Sequence, residues 1–315
     1  MRFPESTSED WIVPDLVERA AGLPPLTMAV CHPCDPLVLA AVAAGRGAGL
    51  ITPTLVGPEA RVRQVATSSG IDLAGLSIID VPHSHAAAAE AVALARRGEV
   101  DALMKGSLHT DELLAEVLHR ERGLRTGRRV SHVFVMRVNS YPRLLLITDA
   151  AVNIEPCLEQ KVDIVQNAID LAVALGVKQP KVAILSAVET VTSKMRSTID
   201  AAALCKMADR GQITGGLLDG PLAFDNAVSL GAANVKGIHS PVAGVADILV
   251  VPDIESGNML AKQLEYFGQA ESAGIVLGAR VPIVLTSRSD PVDARVRSCA
   301  VASLVAHQQP PQLVG

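Results

Sequence analysis

"VDALMKGSLHTDELLAEVLH", residues 100–119, contains one complete strand-turn-helix unit, and this unit indicates the fold of the chain. The apolar run at 101–104 is typical of a short buried strand, whereas "DELLAEVLH" at 111–119 repeats apolar residues at helical spacing. A strand that leads directly into a helix is the repeating unit of parallel sheets, because the helix returns the chain to the start of the next strand. The stretch therefore predicts an α/β fold.

The same alternation of apolar runs and helical patterns continues in both directions from this unit. Before it, strands are predicted at 26–31, 54–57 and 76–81, with a helix at 36–44. After it, strands are predicted at 132–138, 143–148, 182–185, 216–218, 248–251, 274–277 and 283–285. The first two of these are separated only by a short segment containing "NSYP", so they are expected to form an antiparallel pair. The others predict a parallel sheet with helices between its strands.

The chain length predicts two domains, because 315 residues exceed what one compact core usually accommodates. We place the boundary near Asp149, where the strand "RLLLIT" gives way to the polar loop "DAAVNIEP" and then to an amphipathic helix at 156–175. The last strand and helix are expected to return to the first domain. Residues 1–148 with 276–315 would form the first domain, and residues 149–275 the second.

The composition argues against a nucleic-acid partner. Apolar residues make up 49% of the chain, but Phe, Trp and Tyr together make up only 2%, so few rings are available to stack on bases. The net charge of -5 also disfavours binding to a phosphate backbone.

The sequence predicts a cytoplasmic protein without a membrane segment. Met1 to Trp11 carry acidic residues and no apolar run, which is unlike a secretory signal peptide. No stretch approaches the roughly 20 uncharged apolar residues that span a bilayer. The five cysteines lie mostly inside apolar patterns, as at Cys205 and Cys299, where reduced and buried thiols are expected.

The turn after the strand at 101–104 is a candidate anion site, because ligands of parallel sheets bind at the carboxyl ends of strands. Lys105 supplies a positive charge, Gly106 permits close backbone approach, and Ser107, His109 and Thr110 supply polar side chains. This set suits an anionic ligand. The alternative is a helix capped by a hydroxyl beside a surface lysine.

A second candidate site follows the strand "PIVLT". Ser287, Arg288, Ser289 and Asp290 place hydroxyls, a permanent positive charge and a carboxylate within four residues, as an anion site with acid-base capacity requires. The alternative is a helix N-cap by Ser289 or Asp290 beside a solvated Arg288. Two such turns in one chain favour the anion site.

Two further strand ends carry polar side chains that are candidates for substrate binding. They belong to "LDGPLAFDNA" and "VVPDIESGNMLAKQL", and the candidates are Asp219, Asp225, Asp253 and Asn258. Their carboxylates could bind a divalent metal, but the spacing matches no calcium or zinc motif, so no metal site is predicted.

Two other motifs have simpler explanations than redox or metal chemistry. "CHPC" at 31–34 has the spacing of a dithiol pair, but it precedes a helix that Asp35 is expected to cap. His83 and His85 lack a third metal ligand, and this segment is expected to open a helix.

Taken together, the strand-end segments resemble the phosphate acetyltransferase and phosphate butyryltransferase family. The matching strings are "LMKGSLHTDELL", "RRVSHVFVM", "LLITDAAVNIEP", "SPVAGVADILVVPDIESGN", "NMLAKQL" and "VPIVLTSRSD", which span roughly residues 100–290. The "HPCD" turn and the "GPEARVRQVA" helix extend the similarity to nearly the whole chain.

The resemblance implies a two-domain α/β fold like that of the isocitrate and isopropylmalate dehydrogenases, with the active site in the interdomain cleft and a homodimer as the assembly. It implies the reaction acyl-CoA + phosphate = acyl phosphate + CoA. Coenzyme A and phosphate would be substrates, and no cofactor would be permanently bound.

The resemblance also assigns roles to residues. Ser287 and Arg288 match the Ser-Arg pair that holds the acyl phosphate in this family. The family's acetyltransferases end this motif in Val-Asp-Asp, where the chain has Asp293 followed by Ala294. The base that assists the coenzyme A thiol is therefore Asp290, which we prefer, or Asp293.

Two arginines typical of the acetyltransferases are missing, one near Ala115 and one near Tyr266. Lys105 could replace their charge, and so could the cluster Arg125, Arg128 and Arg129. These departures make the chain look closer to the butyryltransferase branch, and they leave the acyl group as acetyl or butyryl.

Two alternatives remain open at this point, because a fold does not determine a function. One is an NAD- and metal-dependent hydroxyacid dehydrogenase of the same fold. The other is a non-catalytic sensor of acyl-CoA or acyl phosphate.

Overall fold

A computed structural model describes residues 15–308 of the chain. The strands are β1 (Leu26–Cys31), β2 (Ile51–Gly57), β3 (Ser77–Asp80), β4 (Ala102–Lys105), β5 (Ser131–Arg137), β6 (Leu145–Thr148), β7 (Lys181–Leu185), β8 (Leu217–Leu222), β9 (Ile248–Val250), β10 (Glu271–Leu277) and β11 (Ile283–Val284). The helices are α1 (Leu16–Ala21), α2 (Pro36–Gly47), α3 (Glu59–Ser69), α4 (Ser84–Arg96), α5 (Thr110–Val117), α6 (Leu158–Ala174), α7 (Arg196–Asp209), α8 (Phe224–Val228), α9 (Leu230–Val235), α10 (Ile254–Tyr266) and α11 (Val292–Gln308). The α/β fold class is confirmed.

All of these strands belong to one sheet, in the order β3-β2-β1-β4-β11-β10-β5-β6-β9-β7-β8. The first five strands are mutually parallel, and so are the last four. β10 and β5 lie between these two groups, and each pairing from β11 through β10 and β5 to β6 is antiparallel. The two parallel groups therefore run in opposite directions.

One row of paired residues crosses the sheet and explains where a ligand can bind. Val284 pairs with Met104 on one side and with Ile275 on the other. Ile275 pairs with Val133, and Val133 pairs with Thr148. The row thus joins the carboxyl ends of β4 and β11 to the carboxyl end of β6. Because the turns after parallel strands bind ligands, the turns of both groups can contribute to one site.

The strand predictions were confirmed within a few residues, including the antiparallel pair β5 and β6. The direction of β10 is a correction, because we expected it to be parallel with a helix following it. Only residues 278–282 connect β10 to β11, and such a connection is too short for the crossover that parallel neighbours need. The two strands therefore pair as a hairpin.

Buried aliphatic side chains on both faces of the sheet form the core, as the composition predicts. The helix predicted at 156–175 is α6, which buries Ile164, Val165, Ala168 and Ile169 against the sheet. The division into domains at Asp149 stays a prediction. The prediction for Met1 to Trp11 lies outside the described residues. Within residues 15–308, no helix has both the length and the apolar character needed to cross a membrane.

Candidate active site

A cavity of about 350 Å³, called the anion cavity below, lies over the row of strand ends. The turns after β4, β11 and β6 contribute to its wall, together with β5 and α10. Its lining consists of Lys105, Leu108, His109, Thr110, His132, Phe134, Ala151, Asn258, Lys262, Leu285, Thr286, Ser287 and Arg288. Residues that are separated by more than 180 positions in the sequence therefore meet at one small site.

The turn after β4 is packed against the end of β1. The backbone N–H groups of Gly106 and Ser107 donate to the carbonyl oxygens of Cys31 and His32, each at 2.9 Å. A Cβ on Gly106 would lie 2.3 Å from the carbonyl oxygen of Cys31, so only glycine fits this close approach. The packing fixes the direction of the turn and leaves Lys105 in the cavity wall.

Lys105 is buried, with 4% of its surface exposed, and is not the surface lysine of the alternative interpretation. Among residues 15–308, no carboxylate lies within ion-pair distance of its ammonium group, and no acceptor lies within hydrogen-bond distance. Burial lowers the pKa of Lys105, and the positive charges of Arg288 and Arg295 lower it further. The cavity thus contains a desolvated cation that lacks an anion.

The turn after β11 is closed by Asp290. The backbone N–H of Ser287 donates to Oδ2 of Asp290 at 2.7 Å, and the N–H of Asp290 donates back to the carbonyl oxygen of Ser287 at 3.2 Å. The carboxylate is 6% exposed, and its Oδ1 atom lies 3.3 Å from the ammonium group of Lys262. Asp290 therefore organises the turn that presents Ser287 and Arg288.

A buried arginine in α11 also holds this turn in place. The Arg295 guanidinium, in α11, donates to Oγ1 of Thr286 at 2.7 Å and to the carbonyl oxygens of Ser287 at 2.8 Å and Asp290 at 3.3 Å. These hydrogen bonds replace the water that the guanidinium loses on burial, which reduces the cost of burying its charge. Arg295 thereby fixes the backbone on both sides of Arg288.

Arg288 extends across the opening toward the turn after β4. Its Nη2 atom lies 3.4 Å from Nε2 of His109, the residue that precedes α5. Within the described part of the chain, no carboxylate lies within 4 Å of the guanidinium group. Lys105 and Arg288 therefore contribute two cations without carboxylate partners to one cavity, which favours a dianionic ligand.

Two aromatic side chains of β5, His132 and Phe134, line the cavity. The rings of His132 and Phe134 meet edge to face with their centroids 4.5 Å apart. Nε2 of His132 lies 3.4 Å from the carbonyl oxygen of Leu285, and Nδ1 has no partner among the described residues. Because a carbonyl oxygen only accepts, this contact places the proton of a neutral ring on Nε2. Burial lowers the pKa of His132, which favours the neutral ring.

Lys262, in α10, differs from the other two cations because it is paired. Its ammonium group contacts Glu265 at 2.7 Å and Asp290 at 3.3 Å, and it lies 5.8 Å from the ring centroid of Phe134. Burial disfavours its charge, but the hydrogen bond with Glu265 and the charge of Asp290 outweigh burial and raise the pKa of Lys262. The residue is a stable charged link between α10 and the turn after β11.

The structure brings together the predicted site residues of the two main turns. The residues that line the cavity are Lys105, His109, Thr110, Asn258, Ser287 and Arg288. Gly106 and Ser107 shape the turn after β4, and Asp290 lies directly behind the turn after β11.

The other four predicted residues belong neither to the cavity lining nor to the contacts that shape its two main turns. Asp219 lies in β8 at the edge of the sheet, and Asp225 is exposed in α8. Asp253 caps α10 by accepting from the backbone of Ser256, and it borders a different cavity. Asp293 is exposed in the first turn of α11.

His132 and Arg295 had not been identified from sequence, and Lys262 had been noted only as part of the strand-end segment "VVPDIESGNMLAKQL", without a role. His132 and Lys262 belong to the strings "RRVSHVFVM" and "NMLAKQL", which gave a family signal but no chemical signal. Arg295 gave no signal, because Asp293 and Arg297 lie two positions away on either side and make the segment look like a solvated helix start.

The two motifs set aside from redox and metal chemistry have structural roles. Asp35 caps α2 by accepting from the N–H groups of Leu37 and Val38, as expected. Nδ1 of His83 accepts from the N–H of Ala86 at the start of α4. Across residues 15–308, no three His, Cys, Asp or Glu side chains form a group that could hold a metal ion.

Comparison with known proteins is consistent with this site. A family model described as "Phosphate acetyl/butaryl transferase" matches residues 83–303. The chain is 62% identical over 291 residues to a phosphate acetyltransferase of Rhizobium meliloti, and the match covers 92% of each chain. It is 42% identical over 292 residues to a phosphate butyryltransferase of Clostridium beijerinckii, with 93% of this chain and 97% of the relative covered.

Solved structures support the fold. A branched-chain phosphotransacylase from Enterococcus faecalis matches with a TM-score of 0.79 and 32% identity, over 90% of this chain and 99% of that one. A 4-hydroxythreonine-4-phosphate dehydrogenase from Klebsiella pneumoniae has a TM-score of 0.54 at 13% identity, over 90% and 99%, which is a likeness of fold alone. The expected relation to the dehydrogenase fold is thus confirmed. On the family match and these identities, the chain belongs to the phosphate acetyl/butyryl transferase family and is an acyltransferase.

Proposed function

We propose that this acyltransferase carries out its reaction, acyl-CoA + phosphate = acyl phosphate + CoA, in the anion cavity. The observation that carries the proposal is the pair of cations without carboxylate partners, Lys105 and Arg288, beside the hydroxyl group of Ser287. A phosphoryl group that enters the cavity would neutralise both cations.

Each residue of the two turns has a chemical role in this proposal. Arg288 binds the phosphoryl oxygens with its planar guanidinium, and Lys105 adds a second positive charge. The hydroxyl of Ser287 donates to the carbonyl oxygen of the acyl group, on which negative charge develops in the tetrahedral transition state. Asp290 and Arg295 hold the turn so that these groups keep their positions.

Asp290 remains the preferred proton acceptor for the coenzyme A thiol, and Asp293 remains the alternative. Asp290 contacts two groups that belong to the cavity wall, Ser287 and Lys262. Asp293 is exposed and does not line the cavity. Position therefore favours Asp290, although both of its oxygens already accept hydrogen bonds.

Lys105 supplies the charge that the two missing arginines would supply in this proposal. The arginine cluster that was the other candidate source of charge, Arg125, Arg128 and Arg129, does not line the cavity. Its Arg128 forms an ion pair with Asp170. Arg129 donates to Asn153 instead.

The acyl group is acetyl or butyryl. The missing arginines favoured the longer chain, but the identity to the phosphate acetyltransferase, 62%, exceeds the identity to the phosphate butyryltransferase, 42%. We therefore give acetyl at least equal weight. We also propose that the chain forms a homodimer and resides in the cytoplasm, where its five free cysteines would stay reduced.

One assay tests the function. Acetyl or butyryl phosphate is mixed with coenzyme A, and thioester formation is followed by absorbance, without added metal ion or NAD. We expect turnover with at least one of the two substrates. A complete lack of turnover with both substrates would refute the proposal and favour the alternative of a non-catalytic sensor.

A further inference from the structure

Lys105 combines three properties that make a lysine reactive. It is 4% exposed, it lines a cavity that is open to small molecules, and in the part of the chain described here its ammonium group has neither an ion-pair nor a hydrogen-bond partner. Lysines become nucleophiles when they are desolvated or lie beside another cation, because both conditions favour the neutral amine. Lys105 meets both conditions, since Arg288 and Arg295 are its charged neighbours.

Two other lysines of the chain provide a contrast. Lys206 and Lys236 are paired with Asp209 and Glu189, and hydrogen bonds with these carboxylates raise the pKa of both lysines. The pKa of Lys105 is lowered instead, so at a given pH Lys105 is a neutral amine in a larger fraction of the molecules. Of these three lysines, Lys105 is therefore expected to be the strongest nucleophile.

Acyl phosphates are electrophiles at their carbonyl carbon. If Arg288 holds the phosphoryl group, as the proposed function states, the carbonyl carbon lies inside the same cavity of about 350 Å³ as the amine of Lys105. When coenzyme A is bound, its thiol takes the acyl group. When coenzyme A is absent, the amine is the competing nucleophile in the cavity wall.

We propose that Lys105 is acylated by the acyl phosphate substrate when coenzyme A is absent, an inference that rests on the proposed function. In the fraction of molecules in which Lys105 is the neutral amine, its nitrogen attacks the carbonyl carbon and forms a C–N bond. The C–O bond to phosphate breaks, and phosphate leaves with the electron pair. The proton lost by nitrogen passes to the departing phosphate. The products are N-acyl-lysine and inorganic phosphate.

The modification inactivates the site. An amide does not return its acyl group to a thiol as an acyl phosphate does, so the product is not an intermediate of the transfer reaction. Acylation also removes the positive charge of Lys105, and the cavity loses one of its two free cations. An excess of acyl phosphate over coenzyme A would therefore switch the enzyme off.

The test measures acylation and activity on the same sample. The full-length protein is incubated with acetyl phosphate without coenzyme A, and peptide mass spectrometry follows acetylation of each lysine over time. We expect Lys105 to be acetylated at least about tenfold faster than the exposed residues Lys178 and Lys194, as activated lysines are. Transferase activity should fall at the same rate, and inorganic phosphate should slow acetylation at Lys105 alone.

Lys105→Arg provides the matched control, because it keeps the charge but removes the nucleophile. Its residual activity should stay constant during the incubation in which the wild-type activity falls. Acetylation of Lys105 no faster than that of Lys178, or no protection by phosphate, would overturn this inference while wild-type turnover leaves the proposed function intact. Absence of turnover in fresh wild-type enzyme would instead overturn the proposed function.

Discussion

The anion cavity and a second cavity of about 430 Å³ both contain lysine and arginine side chains, but they differ in how the charges are paired. In the second cavity, Lys161 contacts Asp200 at 2.8 Å, and Arg196 contacts Asp200 at 3.7 Å and Glu155 at 3.6 Å. In the anion cavity, Lys105 and Arg288 have no such partners within the described residues. The comparison teaches that unpaired charge, and not volume, distinguishes the anion cavity from the second cavity.

The pairing also suggests different roles for the two cavities. The second cavity is larger, and its Lys161, in α6, forms a buried ion pair with Asp200 in α7, whereas Arg196 contacts Asp200 within its own helix. Removing one partner of a buried pair is costly because it leaves the other charge buried alone. Under the proposed function, the phosphoryl group of the substrate would pair with the cations of the anion cavity. The following predictions separate structural charge from functional charge, beginning with the largest expected effect.

Lys161→Met should destabilise the protein strongly. The substitution leaves the buried Asp200 with only the more distant Arg196, and unpaired buried charges cost about 3–5 kcal/mol. Urea denaturation followed by circular dichroism measures the loss in free energy of unfolding. The kcat of the fraction that remains folded should be unchanged, and a large loss of kcat with normal stability would give the second cavity a catalytic role.

Arg288→Ala should lower kcat/KM by about 100-fold or more, because charge-assisted contacts to the phosphoryl group are lost in the transition state. Steady-state thioester formation measures the effect. Arg196→Ala is the counterpart in the second cavity and should leave kcat/KM unchanged. Equal activity of the two variants would mean that the turn after β11 is only a helix start.

Lys105→Met should weaken binding of acyl phosphate by about 10-fold to 100-fold, as the loss of one hydrogen bond to a charged group does. The KM for acyl phosphate and the inhibition constant of inorganic phosphate should rise together. Because Lys105 has no ion-pair or hydrogen-bond partner within residues 15–308, the substitution should not lower the free energy of unfolding, unlike Lys161→Met. An unchanged KM would remove Lys105 from the phosphate site.

Asp290→Asn should lower kcat by roughly 100-fold, because it removes the proposed base as well as a hydrogen bond that positions the turn. An amide can accept from only one of the two donors that the carboxylate now accepts from, namely the N–H of Ser287 and the ammonium of Lys262. Asp293→Asn, at the exposed position, should have wild-type kcat. If both variants were fully active, neither aspartate would be the base.

The fold and half of the site follow from local sequence patterns. Strands were predicted because their apolar runs are short and bounded, and Lys105, Ser287 and Arg288 were found because each directly follows such a strand. The same rule also selected Asp219, which follows the same pattern in β8. Sequence order does not reveal that β8 lies at the far edge of the sheet.

The rest of the site depends on long-range register. His132 and Lys262 enter the anion cavity because β5 pairs with β10 in one particular register and α10 packs beside them. A change of register by one residue would turn the ring of His132 to the opposite face of the sheet. No local pattern in the sequence encodes that choice.

The antiparallel pairing of β10 with β5 determines how the two parallel groups of strands lie relative to each other. It runs from the pair Glu271–Arg137 to the pair Leu277–Ser131, and it is the connection within the sheet between the group that supplies Lys105 and Arg288 and the group that supplies Ala151. The position of one group relative to the other, and with it the distance across the anion cavity, therefore depends on the geometry of this one pairing.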